Sequence, residues 1–261
     1  VSPLEAVAVL LAGVGAGTIN AVVGSGTLIT FPTLLAFGVP PVTANMSNSL
    51  GLVPGSVAGA YGYRRELEGQ RERTLRLLAF STAGGVLGAV LLLVLPPGAF
   101  ETIVPVLILL GVTLVVLQPR ISRAVAARAE RRAATVEQSW WVPLAICATG
   151  VYGGYFGAAQ GVLLMGVLGI GIADTLQRLN GVKNVLAAVV NAVAGLVFVL
   201  AAQLGLLGSG VRVDWLIVLL IGVGSVCGGL LGATVGRRLP PLALRTAIVV
   251  VGLTAVVVLV S

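Results

Sequence analysis

Histidine is missing from all 261 residues, and charge is scarce: Asp, Glu, Lys and Arg make up 10% of the chain, against about 25% in soluble domains. Without an imidazole the commonest general base is gone, and with it Ser–His or Cys–His nucleophilic catalysis. Only two cysteines occur, Cys147 and Cys227, in separate apolar segments without metal-ligand spacing. They read as small packing residues, and neither a metal nor a cofactor is expected. Carboxylates are absent from the middle of every apolar run: Glu5, Glu101, Asp174 and Asp214 stand near segment ends and the other acids lie in basic loops. Proton relays and many cation sites keep a mid-membrane carboxylate, so a cation pump or carboxylate-based antiporter is disfavoured.

What fills the sequence instead is apolar: 57% of residues are hydrophobic and mean hydropathy is +1.08. Runs such as 77–95, 102–118 and 185–204 carry no charge, and each can cross roughly 30 Å of hydrocarbon as a helix. The segments are apolar all round, which excludes a β-barrel, whose strands alternate. The expected fold is an all-α integral membrane protein with apolar segments at 4–23, 26–38, 42–63, 75–95, 100–118, 142–156, 161–173, 180–204, 214–236 and 242–260. The first has no basic flank or clear cleavage site and is read as part of the mature protein.

The pI near 10.4 does not point to nucleic acid, because the basic residues sit between apolar spans. If segments alternate in direction, 15 of the 16 Lys and Arg residues fall on one side. They occupy 64–76 (Arg64, Arg65, Arg71, Arg73, Arg76), 119–139 (Arg120, Arg123, Arg128, Arg131, Arg132), Arg178 with Lys183, and Arg237, Arg238 and Arg245. Arg212 alone is left over. The positive-inside rule makes the basic side cytoplasmic and puts both termini outside it.

The chain also repeats itself. GTINAVVGSGTLITFP (17–32) resembles GVYGGYFGAAQGVLLM (150–165), aligning Gly24 with Gly157 and Thr27 with Gln160. NMSNSLGLVPGSVAG (45–59) resembles GVKNVLAAVVNAVAG (181–195), aligning Asn48 with Asn184, Gly55 with Asn191 and Gly59 with Gly195. Each half has five segments, an odd number, so the halves are expected to be inverted, a recurring transporter plan. The expected division is 1–118, a basic cytoplasmic linker at 119–139, and 140–261. Segments 26–38 and 161–173 rise only ~20 Å as helices. One broken-helix hairpin per repeat is therefore expected, entering from opposite faces, with tips at Gly24–Thr27 and Gly157–Gln160.

Gly24-Ser25-Gly26-Thr27 admits three readings. A serine nucleophile lacks its base, and the repeat puts Ala158 opposite Ser25. A phosphate loop needs GxxxxGK[ST] between strand and helix, and both the lysine and the strand are missing. A helix broken within the membrane fits: glycine permits unusual φ, hydroxyls can satisfy freed backbone groups, and the exposed N-terminal amides suit an anion. The helix-break glycines would be Gly24, Gly26, Gly157 and Gly161. Close packing through small residues is the plainer alternative.

A polar cluster follows each hairpin. Thr43, Asn45, Ser47, Asn48 and Ser49 form the first, and Asn180, Lys183, Asn184 and Asn191 the second, with 180, 183, 184, 187 and 191 on one helical face. Amides, hydroxyls and one cation can replace the water around an oxyanion. The candidate substrate-binding residues are Ser25, Thr27, Asn45, Asn48, Gln160, Asn180, Lys183, Asn184 and Asn191. Two alternatives stay open: Asn45 and Asn180 as helix caps, and Lys183 snorkelling to the cytoplasmic interface.

With these motifs the chain resembles the TauE/SafE family of sulfite and organosulfonate exporters, also called the toluene-sulfonate uptake permeases. The residues carrying the resemblance are GTINAVVGSGTLITFPTLLAFGVPPVTANMSNSLGLVPGSVAGAYGYRRE, then GVYGGYFGAAQGVLLMGVLGIG and LNGVKNVLAAVVNAVAG. It implies a multi-pass carrier in the bacterial cytoplasmic membrane, not an enzyme. Its substrate would be a small sulfur-containing anion such as sulfite, sulfoacetate or a related organosulfonate, exported by alternating access. It also points to Gly24, Ser25, Gly26 and Thr27, and to Gly157, Ala158, Ala159 and Gln160. The alternatives are a carrier of another small organic anion, an uptake permease, and, further off, a cation carrier or a membrane-embedded enzyme or scaffold. The lipid bilayer is the expected partner, and the oligomeric state is not legible.

Overall fold

A computed structural model describes residues 2–131, 139–207, 211–234 and 241–260. Arg132, Arg237 and Arg238, counted among the basic loops, lie outside the described residues. Ten helices and no strand occur among the described residues: α1 (Pro3–Val22), α2 (Thr27–Ala36), α3 (Pro41–Gly62), α4 (Arg71–Val94), α5 (Pro97–Arg131), α6 (Val142–Tyr155), α7 (Gln160–Gly171), α8 (Leu176–Gln203), α9 (Trp215–Thr234) and α10 (Pro241–Val260). Five of them are long and apolar enough to cross a membrane by length and composition: α1, α4, Gly98–Ala127 of α5, α8 and α9. Large apolar side chains such as Leu11, Val57, Val106, Leu196 and Leu219 cover the outside. In water such a surface would be unfavourable, while lipid accepts it.

Local signals explain the boundaries. Ser2 caps α1 reciprocally with Glu5, and Pro3 occupies the first turn. α1 stops because Gly24 adopts φ +87°, its N–H folding back to the Ile19 carbonyl at 3.0 Å. α6 stops in the same way: Gly157 has φ +77° and its N–H returns to Tyr152 O at 3.1 Å. Pro32 lies inside α2, as the sequence places it. One boundary differs from expectation, since α5 runs on through residues 119–131 of the basic segment. Arg and Ala are strong helix formers, so the charge marks where the chain leaves the apolar layer, not where the helix ends.

The closest helix pairs are joined by glycine seams. A Cβ on Gly17 would overlap Ser225 and one on Gly228 would overlap Val14 O, so α1 and α9 touch backbone to backbone. Gly84 and Gly88 do the same for α4 against Cys147 and Val151 of α6. α3 packs on α9 and α8, α4 on α8, and α5 on α10. Shifting every helix by five reproduces this scheme of partners: α1–α9 becomes α6–α4, and α3–α9 becomes α8–α4.

The described parts of the basic segments, and the described helix ends next to them, collect at one end of the bundle. Asp174, before α8, is paired with Arg73 of α4 and with Arg178, each at 2.9 Å. Arg178 also donates to Glu68 O. Gln118 and Ser122 of α5 share a cavity with Tyr63 and Gln177, and Ala233 near the end of α9 lies against Gly62. At the opposite end, Glu5 and Val9 of α1 share a cavity with Leu34, Phe37, Arg212 and Asp214. The α1–α2 hairpin thus opens at that second end. The α6–α7 hairpin opens at the basic end, where Ser139 N donates to Gly171 O at 3.2 Å.

Candidate functional site

The two hairpin tips meet. Gly161 N, in the first turn of α7, donates to Gly24 O at 2.9 Å, and a Cβ on either glycine would fall on the main chain of the other. Gly24 and Gly157 supply the left-handed turns. Gly26 contributes differently: its φ is an ordinary −59°, and what matters is that a Cβ there would press on Ala16 O. Ala159, the residue before α7, holds φ +58° without being glycine.

All nine candidate binding residues are buried. Three of them converge on the C-terminal end of α1. Lys183 Nζ donates to Asn20 O at 3.1 Å and Ala21 O at 3.3 Å. The amide nitrogens of Asn180 and Asn184 donate to the same Ala21 O at 3.1 and 3.2 Å. Lys183 has no exposed surface, so it does not snorkel. No carboxylate among the described residues pairs with it. Its charge instead meets the partial negative charge of a helix C-terminus, the favourable sign for a cation.

Asn48 serves the first tip, donating to Thr27 Oγ1 at 3.2 Å and accepting from the Thr30 hydroxyl. Asn45 crosses to the other break and donates to Tyr155 O, the last carbonyl of α6, at 2.9 Å. Asn45 and Asn180 therefore hold the ends of helices other than their own. Ser25 Oγ, Gln160 Nε2, Asn45 Oδ1 and Asn180 Oδ1 are buried with no partner among the described residues. Gln160 packs over Gly153. Asn191, about two turns beyond Asn184, makes no side-chain hydrogen bond among the described residues and is not drawn into the cluster. Thr43 and Ser47 turn elsewhere, accepting from the amides of Arg212 and Asp214.

Sequence patterning missed several residues that build this centre. Asn20 presents its carbonyl to Lys183 and its side-chain amide to Ser56 Oγ at 3.1 Å. The Tyr152 hydroxyl donates to Ala158 O within the second break. Phe31, Phe100 and Phe156 form a buried edge-to-face cluster, with Phe31 and Phe156 centroids 5.1 Å apart, that joins α2 and α5 to the residue before Gly157. Asn20 and Phe31 do stand inside the 17–32 motif, a signal that position alone carried.

Two cavities lie toward opposite ends of the bundle, and neither is lined by a tip residue. The one at the basic end, about 260 Å³, is lined by Val22, Met165, Ser122, Gln177 and Asn180 among others. The one at the opposite end is about 360 Å³. The centre of this apolar bundle is thus a pair of joined hairpin tips with a buried lysine at the end of α1.

Comparison with known proteins agrees with the resemblance read from the sequence. The sulfite exporter TauE/SafE family matches residues 9–259. The chain belongs to this family. It is similar to the probable membrane transporter protein YfcA of Escherichia coli K12, at 26% identity over 92% of this chain and 82% of that protein. It is also similar to the probable membrane transporter protein YdhB of Bacillus subtilis, at 25% over 92% and 90%. Against the probable membrane transporter protein ORF9 of a Sinorhizobium species, 33% identity covers a stretch of 36% of each chain. No solved structure matches. As a TauE/SafE-family protein the chain is a multi-pass membrane transporter of a small molecule, not an enzyme.

Proposed function

We propose that this TauE/SafE-family protein is a secondary carrier of small sulfur-containing anions, sulfite, sulfoacetate or a related organosulfonate, and that it exports them by alternating access. The observation that carries the reading is Lys183: wholly buried, without a carboxylate partner among the described residues, and held among them by two main-chain carbonyls beside a helix break. A buried cation is costly unless compensated; the carbonyls at the end of α1 offset only part of its charge, and a passing anion would supply the rest. Neutral donors stand nearby in Ser25, Thr27 and Gln160, with Asn48 and Asn184 behind them. The family's own description, sulfite exporter, supports the sulfur anion.

The five-helix shift in packing partners, together with hairpins that open at opposite ends, supports two inverted repeats, 1–118 and 140–261. The basic segment at 119–139 would link them. The shared end of the basic loops supports a cytoplasmic placement for that end. In this orientation an inside-negative potential assists anion efflux by about 2.3 kcal/mol per charge per 100 mV.

The test is transport of labelled sulfite and sulfoacetate by purified protein in liposomes at two imposed potentials. Flux is expected to rise when the compartment holding the anion is made negative. It is expected to fall roughly a hundredfold in the Asn48→Ala/Lys183→Ala double variant, as loss of charge-assisted hydrogen bonds implies. Intact transport by that variant overturns the site. Movement of neither sulfur anions nor small carboxylates overturns the function.

A further inference from the structure

Arg212, the cation that stands apart from the basic loops, lies at the opposite end of the bundle on the wall of the 360 Å³ cavity. We propose that this cavity is a second binding site, for a small organic oxyanion, with the Arg212 guanidinium as its receptor. The inference rests on the reading of the chain as an anion carrier and gives that carrier a station on the far side of the hairpin tips.

Three observations carry it. First, the loop bearing Arg212 is built into place. Thr43 Oγ1 accepts from Arg212 N at 3.4 Å and Ser47 Oγ from Asp214 N at 2.9 Å, so two hydroxyls of α3 fix the backbone on both sides of residue 213. Second, both carboxylates on the cavity wall are engaged elsewhere. Asp214 Oδ1 accepts from Leu216 N and Ile217 N at 3.0 and 3.1 Å, at the start of α9. Glu5 accepts from Ser2 N at 2.7 Å, at the start of α1. Each acid is partly offset by the positive end of its helix, and neither forms an ion pair with Arg212. The guanidinium, with its five donors, makes no side-chain bond among the described residues. Third, apart from Thr43 the rest of the wall is apolar, with Val9, Leu34, Phe37, Val39 and Ile217 its large side chains. A bare inorganic ion would leave these surfaces wet. An anion with a short carbon skeleton covers them while its acid group meets the arginine, which pairs bidentately with planar or tripodal oxyanions.

The experiment is calorimetric titration of the full chain, purified in detergent, with sulfoacetate and with a small dicarboxylate, alongside flux in liposomes. Binding by the wild type is expected, weakened roughly tenfold or more in Arg212→Gln and weakened less in Arg212→Lys, which keeps the charge but not the two-pronged pairing. Lys183→Met is expected to retain the Arg212-dependent binding although its central site is lost. Unchanged affinity in Arg212→Gln, or no binding by the wild type, overturns the proposal, while flux through the wild type would leave the carrier reading standing. Arg212-dependent binding without flux of any anion would uphold this site and overturn the carrier reading. An affinity in Arg212→Lys between those of the wild type and Arg212→Gln shows that the loss in Arg212→Gln is not a loss of fold.

Discussion

The two helix breaks solve the same problem with different chemistry. Each ends a helix at a left-handed glycine and begins another a few residues later, leaving carbonyls at one end and amides at the other. At the first break the α1 carbonyls are covered from α8 by Lys183, Asn180 and Asn184, and Asn48 ties down Thr27 and Thr30. At the second, the cover is neutral: Asn45 on Tyr155 O, the Tyr152 hydroxyl on Ala158 O, and aromatic rings behind. The position aligned with Lys183 in the first half is Ser47, which is occupied with Asp214 N. The pair is therefore electrically lopsided, with its one buried charge on the side of the first tip. For the anion carrier proposed above, two like-charged breaks would hold an anion fast, whereas one charged and one neutral break would hold it and still let it go.

The comparison can be broken most severely at the glycines. Gly24→Ala is expected to cost about 3 kcal/mol, from left-handed strain and from overlap with Gly161. Gly157→Ala, whose Cβ would meet only Gly153 O at 3.0 Å, should cost about half of that, mostly strain. Detergent-denaturation titrations of the two variants check the order, and equal losses would mean that the tip contact contributes nothing. Next comes Asn48→Ala, which leaves the buried Thr27 hydroxyl without its donor and takes away one of the two acceptors of Thr30, and should cost about 2 kcal/mol by the same titration. Tyr152→Phe removes a single hydrogen bond at the neutral break and should cost about 1 kcal/mol. A loss as large as that of Asn48→Ala would show the second break to be no more lightly braced than the first. The smallest effect is expected from Ala159→Gly. Relief of about 1 kcal/mol of left-handed strain is offset by a lost buried methyl worth about 0.8 kcal/mol, so the midpoint of denaturation should barely move.

Much of this was legible in the sequence. Two glycine motifs followed by segments too short to span gave the hairpins, and the 3.6-residue period put Asn180, Lys183 and Asn184 on one face. What those side chains touch was not legible, because Asn20 O, Ala21 O and Tyr155 O are main-chain atoms that every residue type carries alike. Asn191 shares the helical face with Lys183 yet sits too far along α8 to join it, so angular position was readable and depth was not. The helical continuation of α5 through 119–131 was hidden by its charge, which reports on solvent and not on backbone. Arg212 stood out only as a residue left over. Its meaning came from seeing that Glu5 and Asp214 were already engaged.

The glycine seams set the grain size of any motion. Where α1 meets α9, and α4 meets α6, main chain lies on main chain, and there are no side chains between them to swing into new rotamers as the surfaces slide. Such a seam has one comfortable register. Because α3 is seamed to α9 in the same way, through Gly55 and Gly229, an alternating-access carrier would move α1, α3 and α9 as one block and α4 with α6 as another, and rearrangement would fall to other contacts, such as α5 against α7 and α2 against α10. A disulfide across α1 and α9 should leave the protein working, and one across α2 and α10 should stall it.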